Sequence, residues 1–362
     1  MHPTIYSIAS INIDEVYSVP HIARAGETLS STERQQNAGG KGANASIAAA
    51  RSGAAVHVVG KVGDDGRWLC DLLQSCGAHT EHITVDSSSM TGRAIIQVDA
   101  QGENAIVLFP GANQRITGEE VQRALGGARV GDWLMLTNET SAVAEAMEIG
   151  RARGMRVLWN PAPMQENAGK LARMADVLVV NQTELQGLAS HLGLEHADDT
   201  EMAERVMQEL KLHVLAVTLG ASGCLGLVRR PQENAHEIHT ADSDVKQQAD
   251  RRGEHNESVA VICMECAPVG KEHVRDTTGA GDTWVGYFAA ELARAQADSP
   301  ESIGALAELT PMMVEHAMRL ATYAAGLAVT RMGAVPSIPE RRHVEKFMRE
   351  KHLFEWSEKA ND

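Results

Sequence analysis

Short apolar runs alternate with stretches of helical period along this chain, and that alternation limits its fold more than any other feature. Thr4 to Asn12 reads as a first strand and Ala55 to Gly60 as a second. Asp132-Trp-Leu-Met-Leu-Thr137 is a third, followed by an Ala/Met/Glu helix from Ser141 to Arg153. Arg156-Val-Leu-Trp-Asn160 is a strand stopped by Pro161, which supplies no ladder donor. Ala175 to Val180 and Leu212 to Leu219 are two more, with helical stretches between them. Strand, helix, strand, helix predicts an α/β protein with a parallel sheet covered on both faces. A chain of 362 residues, 43% of them hydrophobic, has the material for such a core without disulfide staples.

Two segments break the rhythm. Val16 to Ala38 and Gly92 to Asn113 contain alternating stretches: Ala94-Ile-Ile-Gln-Val-Asp99, a turn at Gln101-Gly102-Glu103, then Ala105-Ile-Val-Leu-Phe109. This is hairpin patterning, and it fits either an antiparallel edge of the main sheet or a small separate β lid. Arg229 to Ser258 is polar and charged with almost no apolar residues, so it is expected to be a surface insertion. Its histidines His236, His239 and His255 read as solvated side chains and not as a metal tract.

A net charge of −15 disfavours a nucleic-acid partner, which needs a basic face. The same surplus would repel an anionic cofactor, so a phosphate site has to be built locally from metal, backbone N–H groups or a few cations. Five cysteines, few and odd in number, point to a reducing compartment. Cys263-Met-Glu-Cys266 has the spacing of half a zinc site without a second pair, and the apolar run from Val259 predicts buried strand thiols there. The first twenty residues do not read as a signal peptide, no stretch reaches the ~18 apolar residues of a membrane span, and Lys359-Ala-Asn-Asp362 is not a peroxisomal address. The expectation is a soluble cytoplasmic protein with no membrane partner.

The strongest chemical motif is Asp276-Thr-Thr-Gly-Ala-Gly-Asp282. Val285, Phe288, Ala289 and Leu292 follow at i, i+3, i+4 and i+7, so a helix starts close to Gly279 or Ala280. Small residues at a helix start leave backbone N–H groups accessible at its positive end, where an anion can sit. Asp282 falls on the first turn, within reach of the proton of an attacking hydroxyl. The alternative reading is an Asp-capped helix after a glycine turn. A second motif, Asn37-Ala-Gly-Gly-Lys-Gly-Ala-Asn44, also leads into a helix and lacks the Walker A spacing. By itself it reads first as a helix start packed tightly through Gly and Ala, ahead of a binding loop. Polar groups cluster at strand ends, where open α/β sheets bind ligands: Asn12 and Asp14 after the first strand, Glu139, then Asn181 with Glu184, and Thr218-Leu-Gly-Ala-Ser-Gly223.

Together these residues resemble the ribokinases, within the wider ribokinase-like carbohydrate kinase family. The similarity runs from about Ile5 to Phe347, and its carriers are Ser10-Ile-Asn-Ile-Asp14, Gly39-Gly-Lys-Gly-Ala-Asn44, Asn160-Pro-Ala-Pro163, Asn181-Gln-Thr-Glu184, Thr218-Leu-Gly220, the 276–282 run, and Val329-Thr-Arg-Met-Gly-Ala-Val-Pro-Ser337. The resemblance implies one kinase domain over residues 1–350, a three-layer α/β/α sandwich with a mostly parallel central sheet, plus a β lid from 16–38 and 92–113. Residues 229–258 would be its insertion and 351–362 a C-terminal tail. It implies lids of two subunits clasped in a homodimer, and transfer of the ATP γ-phosphoryl group to the 5-hydroxyl of D-ribose. Asp282 would be the general base, with Gly279, Ala280 and Gly281 in the anion hole. Asn12, Asp14, Gly40, Lys41, Asn44 and Glu139 would hold the sugar. Asn181 and Glu184 would organise phosphate and Mg²⁺, and Thr218, Gly220 and Gly223 would line the nucleotide site. K⁺ would sit near Asp276, Thr278, Ala328, Arg331, Gly333 and Ser337.

Four residues depart from the family pattern. Thr322 stands where ribokinases usually carry Asn or His against the adenine, Trp284 replaces Phe, and Thr137-Asn138 precedes Glu139 where the family is more apolar or has Gln. A kinase of another sugar or of a nucleoside, or a sugar-binding protein that has lost catalysis, are the competing readings.

Overall fold

Strands made wholly of apolar residues need cover on both faces, and the fold supplies it. The computed structural model describes residues 3–194, 198–230, 259–298 and 308–359. Its strands are β1 (Ile5–Ile8), β2 (Asn12–Ser18), β3 (Glu33–Gly39), β4 (Val56–Val62), β5 (His79–Val85), β6 (Gly92–Val98), β7 (Asn104–Phe109), β8 (Trp133–Leu136), β9 (Arg156–Trp159), β10 (Val177–Asn181), β11 (Val214–Thr218), β12 (Cys224–Arg229) and β13 (Val259–Met264). Its helices are α1 (Lys41–Arg51), α2 (Arg67–Ser75), α3 (Gly118–Ala124), α4 (Val143–Ala152), α5 (Ala168–Ala172), α6 (Gln182–His191), α7 (Asp199–Leu210), α8 (Ala280–Asp298), α9 (Pro311–Ala328), α10 (Ala334–Ser337) and α11 (Arg341–Lys359).

Nine strands form the main sheet in the order β13-β12-β11-β10-β9-β8-β1-β4-β5. It is parallel from β11 through β5, and β12 and β13 add an antiparallel edge. Side chains alternate across it as strand geometry requires. Trp133 and Met135 of β8 join the core beneath α1, α8 and α9, whereas Leu134 and Leu136 join the core beneath α3 to α7. The result is a three-layer α/β/α sandwich.

The two irregular segments form a separate four-stranded sheet, β3-β2-β6-β7. The β6–β7 hairpin closes through Asp99, whose amide donates to the Glu103 carbonyl at 3.0 Å. The central pair, β2 with β6, is parallel. Here the expectation for the first strand needs correction: it stops at Ile8, and Asn12 and Asp14 lie on β2 of the small sheet, not at the end of the first strand. Ile11 and Ile13 are buried like the residues of β1, so one apolar run hides a passage from one sheet to the other.

One further expectation changes. Cys263 is on β13 and Cys266 beyond it, and both are exposed, because the buried positions of that strand are the alternate residues Ala260 and Ile262 and Cys266 lies past its end. Helix α11 runs on past residue 350 to Lys359. Residues 231–258, most of the polar insertion with its three histidines, lie outside the described residues, while Arg229 ends β12.

Helices α1 and α8 approach closely at Gly286. A Cβ there would lie 2.2 Å from the Ala45 carbonyl oxygen and 2.6 Å from the Ala48 Cβ. Further along α8, Glu291 is 1% exposed; Ser52 Oγ, at the end of α1, donates to its carboxylate at 2.9 Å and the Arg341 guanidinium pairs with it, which ties α11 to α8.

Candidate active site

The site is built where strand ends meet helix starts. Gly40 caps α1 at φ 97°, and a Cβ there would sit 2.5 Å from the Ser10 carbonyl oxygen, so only glycine lets the helix start against the end of β1. Gly42 is under the same constraint, with a Cβ falling 2.4 Å from the Ala9 Cα. This contact carries Lys41 and Asn44 to α8, which starts at Ala280 as the sequence predicts. Asn44 Nδ2 donates to Asp282 Oδ2 at 2.8 Å, joining the two glycine motifs across 238 residues.

Glu139, after β8, is the second junction. Its Oε2 accepts from Ser10 Oγ at 2.6 Å and from the Lys41 amide at 3.2 Å, and Oε1 lies 4.0 Å from Lys41 Nζ. Asn12 is fixed by Asn113, whose Nδ2 donates to Asn12 Oδ1 at 2.7 Å and whose Oδ1 accepts from the Ile11 amide at 2.9 Å. Asp14 lies over Gly39, where a Cβ would collide with the Asp14 carboxylate at 2.1 Å. Ser10 and Asn113 were missed as functional residues by sequence reasoning. Ser10 lay inside a quoted motif, and Asn113 at the lid boundary offered no signal.

Below this polar group opens a cavity of about 210 Å³ lined by Lys41, Asn160, Asn181, Glu184, Thr218 and Asp282, among others. Asn181 and Thr218 are register partners at the ends of β10 and β11. Asn181 Oδ1 accepts from the Glu184 amide at 2.8 Å and Glu184 Oε2 from the Asn181 amide at 2.9 Å, a reciprocal cap that starts α6. Asn160 donates to the Val179 carbonyl at 2.8 Å, and Asn138 Nδ2 donates to the Pro163 carbonyl at 2.8 Å, holding the Asn160–Pro163 turn against the cavity.

Gly279 and Gly281 form the cavity's far rim. Gly279 has φ +74°, and a Cβ on Gly281 would meet nothing within 4 Å, so an oxyanion has room there. The Ala280 amide donates to the Thr277 carbonyl at 3.2 Å, whereas the Gly281 and Asp282 amides have no acceptor among the described residues. These two are the donors left for an anion.

Four charged groups share this space. Burial pushes the Asp282 carboxyl above its usual range, against the pull of Lys41 and the Asn44 amide. Burial likewise raises Glu184, although the Asn181 amide opposes it. Burial, with Glu139 and Asp282 adding to it, raises Asp14 to about 7. Burial works against the Lys41 ammonium, yet Asp282, Glu139, Glu184 and Asp14 hold its pKa above the ordinary value. One half-buried cation among carboxylates, beside free amides, can bind a polyol on one side and an anion on the other.

The other expected residues are not among those that line the cavity. Gly220 (φ 58°) and Gly223 (φ 93°) turn the chain from β11 into β12, and a Cβ on Gly223 would lie 2.0 Å from the Met264 carbonyl oxygen. Thr322 is 7% exposed, and its hydroxyl accepts from the Trp284 indole N–H at 3.1 Å, so the structure does not bring a free polar group from Thr322 to the cavity. The two departures are thus partners. Asp276 accepts from the Thr278 amide at 2.9 Å and the Gly333 amide at 2.7 Å, bonds that hold its carboxyl below the usual range despite burial. The Ala328 carbonyl accepts from the Arg331 amide at 3.1 Å, and Ser337 Oγ donates to the Ala334 carbonyl at 2.7 Å.

Fold and site together define a phosphotransferase whose acceptor is a carbohydrate hydroxyl. The sequence profile of the pfkB family carbohydrate kinases matches residues 3–245 and 258–341, and the chain belongs to that family. It is 31% identical to the ribokinase of Haemophilus influenzae over 96% of this chain and 99% of that protein. It is 27% identical to the deoxyribokinase of Salmonella typhi over 94% and 97%. Among solved structures it superimposes on Cryptococcus neoformans ribokinase in complex with ADP with a TM-score of 0.70, at 29% identity, covering 95% of this chain and 99% of that one.

Proposed function

We propose that this protein phosphorylates D-ribose at its 5-hydroxyl with ATP. The observation that carries the reading is Asp282, hydrogen-bonded to Asn44 at 2.8 Å, beside Lys41 and next to the unpaired amides of Gly281 and Asp282 itself. Phosphoryl transfer asks for in-line positioning and charge neutralisation more than for covalent chemistry. Asp282 takes the proton of the 5-hydroxyl as the sugar oxygen bonds to the γ-phosphorus. The bond from phosphorus to the β–γ bridging oxygen breaks, and ADP leaves. The free amides at the start of α8, with Gly279 and Ala280 shaping the loop, receive the charge on the transferring group.

The sugar is assigned to Asn12, Asp14, Gly40, Lys41, Asn44 and Glu139. Asn44 Oδ1 supports this, since it is buried without a partner and calls for a donor such as a sugar hydroxyl. The nucleotide is assigned to the side formed by Asn181, Glu184, Thr218, Gly220 and Gly223. Thr322 contributes there by shape, its hydroxyl being taken by Trp284. Glu184 and Asn181 offer hard oxygen donors that suit a hydrated Mg²⁺, which would neutralise phosphate charge. The Asp276 carboxylate with nearby backbone carbonyls of Ala328, Arg331 and Gly333, and with Thr278 and Ser337, is a hard-oxygen set of the kind K⁺ takes. An ion there would tune the field at the loop beyond it.

Partner and location follow the same reading. The small sheet exposes Ile106, Val107 and Leu108 at 54, 64 and 49% on its edge strand, which favours a homodimer through paired small sheets. The free thiols fit the cytoplasm.

The likeness to a deoxyribokinase favours 2-deoxyribose as the second reading. An ADP-release assay on ribose, 2-deoxyribose and a nucleoside decides among them, with kcat/KM expected to be highest for ribose. Asp282→Asn should lower kcat by about 10²- to 10⁴-fold and leave sugar binding nearly intact. An unchanged rate in that variant removes the assignment.

A further inference from the structure

At the opposite end of the main sheet, three ligand-type side chains converge where no part of the sugar or nucleotide site reaches. His57 lies near the start of β4, and His82 and Glu81 lie on the edge strand β5. One ligand atom from each falls within 4.8 Å of the others, the only such group among the described residues. His57 Nδ1 is 2.5 Å from Glu81 Oε1, and His82 Nε2 is 3.9 Å from the same oxygen.

A bulge creates this convergence. His57 pairs with His79 and Val59 with His82, so β5 carries one more residue than β4 over the same span. Without that extra residue, His79 and His82 would point to opposite faces, as positions three apart on a regular strand do. With it, both rings reach His57, at centroid separations of 4.5 and 5.9 Å. Tyr6 stacks on the other side of His57 at 5.2 Å and fixes that ring. A bulge that re-aims side chains onto one point is more than an edge strand needs for pairing.

We propose that His57, Glu81 and His82 bind one divalent transition-metal ion of the zinc class, leaving a position for water and clamping edge strand β5 to β4. Two imidazoles and a carboxylate are a donor set that zinc accepts. With metal–ligand bonds of about 2.0–2.2 Å, neighbouring donor atoms in a tetrahedron stand about 3.4 Å apart. The His57–Glu81 contact has to open and the widest pair has to close by roughly an ångström each, within reach of a bulged strand and a glutamate side chain that is 50% exposed. The ion would replace the Glu81 bridge that now joins the two histidines.

The test uses the full chain, stripped with chelator and held in saturating Mg²⁺ and K⁺. Co²⁺ is titrated and followed by its visible absorption, Zn²⁺ is used to displace it, and the melting temperature is read at each point. The expected result is one tetrahedral Co²⁺ site, displaced by Zn²⁺, with a raised melting temperature. In Glu81→Ala and His82→Ala, affinity should drop more than the roughly tenfold that loss of even an outer partner costs, with sugar phosphorylation unchanged. No Co²⁺ absorption in the parent protein, or equal binding in these variants, overturns the proposal. So does binding that survives in both variants but disappears from a His236→Ala, His239→Ala, His255→Ala triple variant, which would place the ion on the polar insertion.

Discussion

Asp14 is a residue at which stability and the proposed sugar binding oppose each other. Its carboxyl is raised from 3.8 to about 7 by burial, with Glu139 and Asp282 adding to the effect. Below pH ~3 it is protonated whether the chain is folded or not. As pH rises toward 7 the unfolded chain releases this proton and the folded chain keeps it, so folding becomes less favourable over that window. Asp14→Asn is therefore expected to raise the melting temperature at pH 8, by up to about 4 kcal/mol in stability, with almost no gain at pH 3. Paired thermal melts at the two pH values check it, and the same variant should bind sugar more weakly. Sequence made Asp14 visible as a polar group in a ribokinase-like motif but put it on the wrong strand. The hydrophobic pattern from Ile5 through Ile13 is continuous because both sheets bury it, and nothing in a buried run marks where one ladder ends.

Among the elements, the pair α1 and α8 decides the geometry of the site. Gly286 lets the helices touch, and the same approach sets Asn44 at 2.8 Å from Asp282. Gly286→Ala is expected to cost about 1–3 kcal/mol through overpacking and to lower kcat more than it raises the KM for sugar. Urea unfolding and steady-state kinetics on one preparation measure both. A second prediction concerns the C-terminal helix. Arg341→Ala removes the shorter of the two arginine pairings of the buried Glu291 carboxylate and leaves only Arg294 at 3.8 Å, so it should destabilise the protein by about 1–3 kcal/mol, while Arg341→Ala with Glu291→Gln should recover part of the loss. Urea denaturation of the single and double variants reads this. Helix starts at Lys41 and Ala280 were legible, since glycine followed by a 3.6-residue apolar period is a local signal. The His57–His82 convergence was not, because a bulge comes from pairing between strands and leaves no period in either.

At the scale of the whole molecule, the order of strands and helices was enough to announce a parallel sheet with two covered faces. Whether the hairpin patterning belonged to that sheet was not decided by sequence, as alternation gives a strand's faces but not its neighbours. The exposed edge of β7 yields the last prediction. The protein should sediment as a dimer at micromolar concentration, and Val107→Lys should convert it to a monomer by placing charge on that strand. A parent protein that sediments as a monomer would end the pairing model.

The way the small sheet is joined to the large one has a consequence for turnover. Only Ala9, Ser10 and Ile11 separate β1 from β2, and Gly40 alone separates β3 from α1. There is no slack in either tether, and Asn12 and Asp14 belong to the small sheet while Lys41 sits at its root. With the acceptor held as proposed above, the small sheet is no passive door for product. Any swing of it would dismantle the cradle itself, so how tightly an acceptor is gripped and how quickly the next one can enter would be set by the same few residues.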